Sequence, residues 1–158
     1  MPTNAENAYE QMKATEGKEE GTGEWFHVTQ EVINAFADVT LDHQFIHVDP
    51  ERAKATPFET TIAHGFLTLS LLPHLITSIP RDPSVRTEGV VMGVNYGFDK
   101  VRFISPVKSG KKVRASGVTK AVELKGNAVQ ATRTITVEIE GESKPALTAD
   151  WIARIFFS

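Results

Sequence analysis

The chain has 158 residues, 41% of them hydrophobic and 23% charged, with a net charge of −3. That length suits one domain with its own core, and the slight acidity points away from nucleic acid and from an anionic membrane surface. With no cysteine in the chain, a disulfide scaffold, thiol catalysis and cysteine-ligated zinc are excluded.

The start of the chain carries neither an apolar run nor a basic cluster, so no signal peptide is read and the cytoplasm is the expected compartment. Residues 1–23 are expected as a segment ahead of a single domain over 24–158. Within it, Ala5, Tyr9 and Met12 give a weak helix over 4–16, stopped by Gly17. GKEEGTG over 17–23 reads as a flexible turn. Trp25, Phe26 and Val28 form a short apolar piece of edge-strand type. Thr29 has the chemistry of an N-cap, with Glu31 in the first turn, and Val32, Ile33, Phe36 and Ala37 make a helical stripe over about 30–39.

A polar loop over 40–48 follows. Asp49 as N-cap and Pro50 at the first position then open a short helix over 49–56. Past a loop, a central helix is expected from about 63–65 to 76. Its Phe66, Leu67, Leu69, Leu71, Leu72, Leu75 and Ile76 cover most of the circumference, which predicts a helix buried on all sides. It falls short of the roughly 20 apolar residues that span a bilayer. Pro73 should kink it.

From residue 89 the character changes. Runs at 90–98, 100–107, 111–124, 128–139 and 146–157 are rich in β-branched and aromatic residues, with turn signals between them. Val129, Ala131, Ile135, Val137 and Ile139 alternate with polar residues, and Arg133 breaks the pattern. No helix separates these runs, so the expected sheet is antiparallel and the class α+β, with the sheet curled around the central helix.

The chemistry-bearing residues sit in the loop before the central helix. Asp42 and His47 can hold one water between a carboxylate and an imidazole, the carboxylate taking a proton and the imidazole orienting and relaying. The same two residues also fit a turn cap and a partly buried histidine with no chemistry. His43, His47 and Asp49 permit a zinc reading, but the two histidines need a helix to share a face, and Phe45, Ile46 and the Asp-Pro start argue for a loop. Gly65 stands where the central helix begins. Its N–H can hold a developing oxyanion, or the glycine can simply permit close packing. Thr68 and Ser70 can bond back to their own helix, and His64 reads as structural. Lys100, Arg102, Lys108, Lys111, Lys112 and Arg114 form a basic region that meets phosphates or is a solvated face.

Three stretches carry a resemblance: FADVTLDHQFIHVDPERA over 36–53, PFETTIAHGFLTLSLLP over 57–73, and VNYGFDKVRFISPVKSG over 94–110. They resemble the MaoC-like branch of the hotdog superfamily, the (R)-specific enoyl-CoA hydratases, and most of all its single-domain, nodulation-protein-N-like group of 3-hydroxyacyl-CoA dehydratases. The family's motif D-x-[NQ]-x-[IL]-H followed by A-H-G is matched in order and spacing. Phe45, where many members carry proline, and Gln44, for a common asparagine, depart from it.

The resemblance implies a hotdog fold, usually a dimer whose sheets join, and reversible hydration of a trans-2-enoyl-CoA to a (3R)-3-hydroxyacyl-CoA. Asp42 would be the base on the water, His47 its partner, and the N–H of Gly65 the oxyanion donor. Ile62, Ala63, His64 and Gly65 would lie at the thioester end. Gly93, Val94, Asn95 and Tyr96 would lie on the strand facing the ligand, with Ile104, Ser105 and Pro106 flanking the CoA arm and Gln130 a weaker candidate. No metal or redox cofactor is implied. A hotdog thioesterase or a non-catalytic acyl-CoA-binding subunit shares the fold.

Overall fold

The β-branched runs after residue 89 fold as four long antiparallel strands in a computed structural model that describes residues 1–158. These are β3 (Val90–Phe103), β4 (Lys112–Lys125), β5 (Ala128–Ile139) and β6 (Leu147–Phe157). Two short strands precede them, β1 (Glu19–Thr22) and β2 (Phe26–His27), and the sheet order is β1-β4-β5-β6-β3 with β2 also paired to β4. The sheet is not closed, so β3 is an edge. Together with the helices this is the α+β hotdog architecture.

The runs at 90–98 and 100–107 are one strand rather than two. No turn residue divides them, and three register shifts between Val90 and Lys100 absorb the irregularity. The strand ends at Phe103, before Ser105 and Pro106. Alternation in β5 puts Ile135, Val137 and Ile139 into the main core with Leu147, Ala149 and Trp151 of β6. The other face of β5 carries Gln130, Thr132, Thr134 and Thr136.

Helix α1 (Asn4–Lys13) is closed by a capping box between Thr3 and Glu6. It lays Ala5 and Ala8 on Val122, Val129 and Phe157, a second small cluster on the same side of the sheet. The segment expected as a flexible turn holds β1, paired to β4. The reason is Arg133, the exception in the β5 pattern. It falls on the helix-side face between the two clusters, and Glu20 of β1 reaches over to it with both carboxylate oxygens. Thr119 donates to the same carboxylate at 3.1 Å. Gly117 leaves the space, since a Cβ there would stand 2.9 Å from Glu20 Oε2. A charge on the buried face is thus paired and hydrogen-bonded rather than orphaned.

Helix α2 (Gln30–Thr40) starts at Thr29, whose hydroxyl accepts from the amide of Val32 at 3.2 Å, and buries Ile33 and Ala37. The polar loop contains one helical turn, α3 (Phe45–Val48), and Asp49 caps α4 (Pro50–Ala53) through the amide of Arg52. The central helix is broken into α5 (Gly65–Ser70), α6 (Leu72–Leu75) and a 3-10 turn at Ile76–Ser78. Pro73 has no N–H to give to the previous turn, and the break falls just before it, at Leu71. Burial on all sides does not hold either. Leu67, Leu72 and Leu75 are in the main core, but Phe66 is 67% exposed and Leu69 and Leu71 are half-buried, because nothing in a single chain covers that side. No helix is long and apolar enough to cross a membrane.

Replacing Glu20 with alanine strands Arg133 on the buried face. Charged hydrogen bonds of this kind are worth about 1.5–3 kcal/mol, so the thermal midpoint of Glu20→Ala should fall by roughly 3–10 °C. A scanning-calorimetry midpoint equal to wild type would show that the pair contributes nothing.

Candidate active site

Helix α2 ends at Leu41, a leucine held in the left-handed region at φ 62°. The chain then turns through Asp42, whose Oδ1 accepts from the amide of Gln44 at 3.3 Å while the carboxylate stays half-exposed. The single turn of α3 brings His47 inward, to 7% exposure. Its Nδ1 lies 2.7 Å from the carbonyl of Ile62. A carbonyl only accepts, so Nδ1 carries the proton and the neutral ring keeps a bare lone pair on Nε2. Burial holds His47 below the usual histidine range, with the neighbouring His64 acting in the same direction. The hydrogen bond to Ile62 and the charge of Asp42 act against it.

Gln30, the first residue of α2, ties the two segments together. Its amide nitrogen donates to the carbonyl of His47 at 2.7 Å, and its amide oxygen accepts from the Thr61 hydroxyl at 2.6 Å. The amide of Ile62 donates to Ile46 O at 2.9 Å and that of Ala63 to Val107 O at 2.7 Å. This clamp was not legible in the sequence. Gln30 carries no motif, and its partners lie 17 and 31 residues away.

His64 is buried to 2%. Its ring stacks on that of His47, centroids 3.8 Å apart with planes 24° from parallel, and Phe36 packs on it at 5.0 Å. Its Nε2 donates to the backbone carbonyl of Asp42 at 3.0 Å, and its Nδ1 is buried with no hydrogen-bond partner. One ligand atom each from Asp42, His47 and His64 lie within 4.8 Å of one another. Stacked imidazoles aim their in-plane lone pairs side by side rather than at a common point, which suits a zinc ion poorly. The other trio does not assemble: His43 is paired with Asp38 at 2.8 Å and Asp49 caps α4.

Gly65 opens α5, and its amide has no acceptor within the protein. It is also tightly packed, since a Cβ would stand 2.9 Å from Cδ1 of Phe103. The close-packing reading of this glycine is therefore met, and its amide is left free to donate to a ligand.

The other expected ligand residues divide. Ile62 and Ala63 are buried beside the 104–108 turn, with Ile62 bridged to Lys108. Ile104 is exposed, and Ser105 and Pro106 line an open polar cleft with Lys108 and Lys144. On β3, Gly93 and Asn95 pair with Ile155 and Ala153 and face the helices, where Asn95 Oδ1 accepts from the indole N–H of Trp151 at 3.1 Å. Val94 pairs with Arg154 on the opposite face, and the Tyr96 ring lies 4.1 Å under the Arg154 guanidinium. Gln130 is on that outer face too, accepting from Arg154 at 2.8 Å. No hydrogen bond or ring contact joins residues 93–96 or Gln130 to Asp42 or His47 within one chain.

A half-exposed carboxylate within 4.8 Å of a ring nitrogen of a buried imidazole, with a free amide at the start of α5, can hold and deprotonate a water beside a bound carbonyl. A family model described as MaoC like domain matches residues 11–140. The chain is 51% identical over 144 residues to the 3-hydroxyacyl-thioester dehydratase Z of Mycobacterium tuberculosis, covering 90% of this chain and 92% of that protein. It is equally 51% identical over 144 residues to Nodulation protein N of Rhizobium meliloti, covering 90% and 87%. Among solved structures, the monoamine oxidase regulatory protein from Archaeoglobus fulgius matches with a TM-score of 0.69 at 28% identity, covering 87% of this chain and 88% of that one. The (R)-hydratase from A. caviae matches at 0.63 and 24% identity, covering 84% and 94%, which bears on the fold alone.

The lowered His47 value has a sign that can be measured. Unfolding returns the ring to its ordinary value of 6.5, so between the two values the unfolded chain binds more protons. Stability then rises with pH. The contribution is present above the unfolded value and is lost as pH falls through the folded one. The advantage of wild type over His47→Gln in urea unfolding should shrink from about pH 7 to about pH 5; parallel curves would mean that the ring titrates as if free.

Proposed function

Because the chain belongs to the MaoC-like family, whose members include dehydratases of 3-hydroxyacyl thioesters, we propose that it is a hydro-lyase that reversibly hydrates trans-2-enoyl-CoA to (3R)-3-hydroxyacyl-CoA. The observation that carries this reading is the His47 tautomer. With Nδ1–H committed to Ile62 O at 2.7 Å, Nε2 is left as an acceptor, and a ring nitrogen of His47 lies within 4.8 Å of an Asp42 carboxylate oxygen.

A water held between these two acceptors has its oxygen free to attack. Asp42 takes a proton as the water oxygen bonds to Cβ, and the double-bond electrons move through Cα onto the thioester oxygen. The amide of Gly65 stabilises that enolate. The proton then passes through the dyad to Cα, with His47 as the relay, so that one hydroxyl and one hydrogen are added across the bond. Dehydration is the reverse. The chemistry uses only the acidity that the thioester gives to Cα, so the reading assigns no metal or redox cofactor.

The reading also makes the protein a homodimer. Val90, Val91, Met92, Val94, Tyr96 and Phe98 leave an exposed apolar edge on β3, which a second copy could cover by strand pairing. The Phe66 side of α5 is open as well. A partner on these faces would complete a pocket that one chain leaves shallow.

The test is loss of the conjugated absorbance of crotonyl-CoA and of a longer enoyl-CoA, with a thiol reagent run in parallel and product chirality read. An (R)-3-hydroxy product without free CoA is expected, whereas free CoA would make the protein a thioesterase. Asp42→Asn should keep the fold and lose at least ~10²–10⁴ in kcat; near-wild-type hydration would end the assignment. In solution, light scattering should give the mass of two 17.4 kDa chains. Val91→Lys with Val94→Lys should give one chain and little activity, and an unchanged dimer would place the interface elsewhere.

A further inference from the structure

His64 is buried to 2%, so its ring is not open to substrate. Yet it is in contact with both dyad members. Its Nε2–H holds the main chain of Asp42 through a 3.0 Å hydrogen bond, and Oδ2 of the same residue lies 4.0 Å from that nitrogen. Its ring face lies on His47 at 3.8 Å. Phe36 of α2 closes the other approach at 5.0 Å. A side chain chosen only to fill this space would be apolar. The imidazole instead leaves Nδ1 buried without a partner, and buried polar atoms with no partner are rare enough to need a reason. Its donor and its ring plane supply one, because no single apolar or amide side chain offers both.

We propose that His64 is the positioning residue of the dyad, fixing the turn that carries Asp42 by its Nε2–H and fixing the plane of His47 by stacking. The inference rests on the hydratase reading of Asp42 and His47. In structural terms His47 is then held in its plane from two directions, by Ile62 O at its edge and by His64 across its face. Asp42 is held from two directions as well, by Gln44 N at the carboxylate and by His64 at the carbonyl. Loss of either restraint moves a proton acceptor away from the water, and displacements of about 1 Å in such arrangements cost on the order of 10²-fold in rate.

Two variants separate the two restraints. His64→Phe keeps a ring face and deletes the donor, and His64→Gln keeps a donor and deletes the face. Each should lower kcat by roughly 10²-fold with KM within about threefold of wild type, since the substrate's own contacts are untouched. Full kcat in either folded variant would overturn the proposal, as would a loss that appears only in KM. A measurement on the wild-type protein does not depend on the variants folding. Nitrogen-15 imidazole NMR should show an Nδ1–H tautomer at His47 and an Nε2–H tautomer at His64, both slow to exchange. An Nδ1–H tautomer at His64 would remove the bond to Asp42 and with it the proposal. Wild-type protein inactive on every enoyl-CoA tested would instead defeat the hydratase reading and leave the tautomer result standing by itself.

Discussion

The hydrogen bond from the His47 ring to the carbonyl of Ile62 is the interaction on which the arrangement depends. It joins two segments 15 residues apart and decides which ring nitrogen keeps its lone pair. It also satisfies the carbonyl of a strand-like segment that runs directly into α5. Without it the His47 ring would be free to turn, although the backbone of α3 would still be held by the amide of Ile62 on Ile46 O at 2.9 Å. Gln30 reinforces the same junction from α2 through the His47 carbonyl and the Thr61 hydroxyl, so three separate segments meet there. The buried, neutral histidine is therefore a consequence of folding as much as a chemical device.

Around this junction the sheet provides rigidity without enclosure. β4, β5 and β6 form a continuous antiparallel centre whose helix-side residues fill the core, while β3 stands at the edge with most of its residues exposed. The broken central helix is covered on the core side only. One chain thus brings Asp42, His47 and the free Gly65 amide together by its own contacts but leaves their surroundings open. Residues expected on the ligand-facing strand sit on both faces of β3, and only Gly93 and Asn95 turn toward the helices.

How much of this was readable depended on whether the cause was local. Strands β4, β5 and β6, α2 with its Thr29 cap, and α4 with its Asp49 cap follow from periodicity and capping within a few residues. The sequence also singled out Asp42 and His47, a carboxylate and an imidazole five residues apart inside a family-like motif, and the structure brings the two together. What it did not show was set by distant contacts. β1 looked like a flexible turn because its reason for order, Arg133, lies 113 residues away from Glu20. The central helix looked buried all round because hydrophobicity does not say which neighbour supplies the cover. His64 gave no sign of its stacking on His47, and Gln30 none of its clamp. Plain alternation along β3 puts Val94 and Tyr96 on the face opposite Gly93 and Asn95, so four consecutive residues do not line one ligand.

Leu41 has a consequence of a different kind. A β-carbon in the left-handed region costs about 1–2 kcal/mol, and glycine or asparagine would ordinarily stand there. The strain sits one residue before Asp42, where the chain must leave α2 abruptly enough to aim the carboxylate. With Asp42 as the proposed base, selection for heat resistance and selection for turnover would pull this position in opposite directions: relaxing the turn would make the protein sturdier and its aim looser. A lineage adapting to hotter surroundings would be expected to find its added stability in other turns and to leave this one under tension.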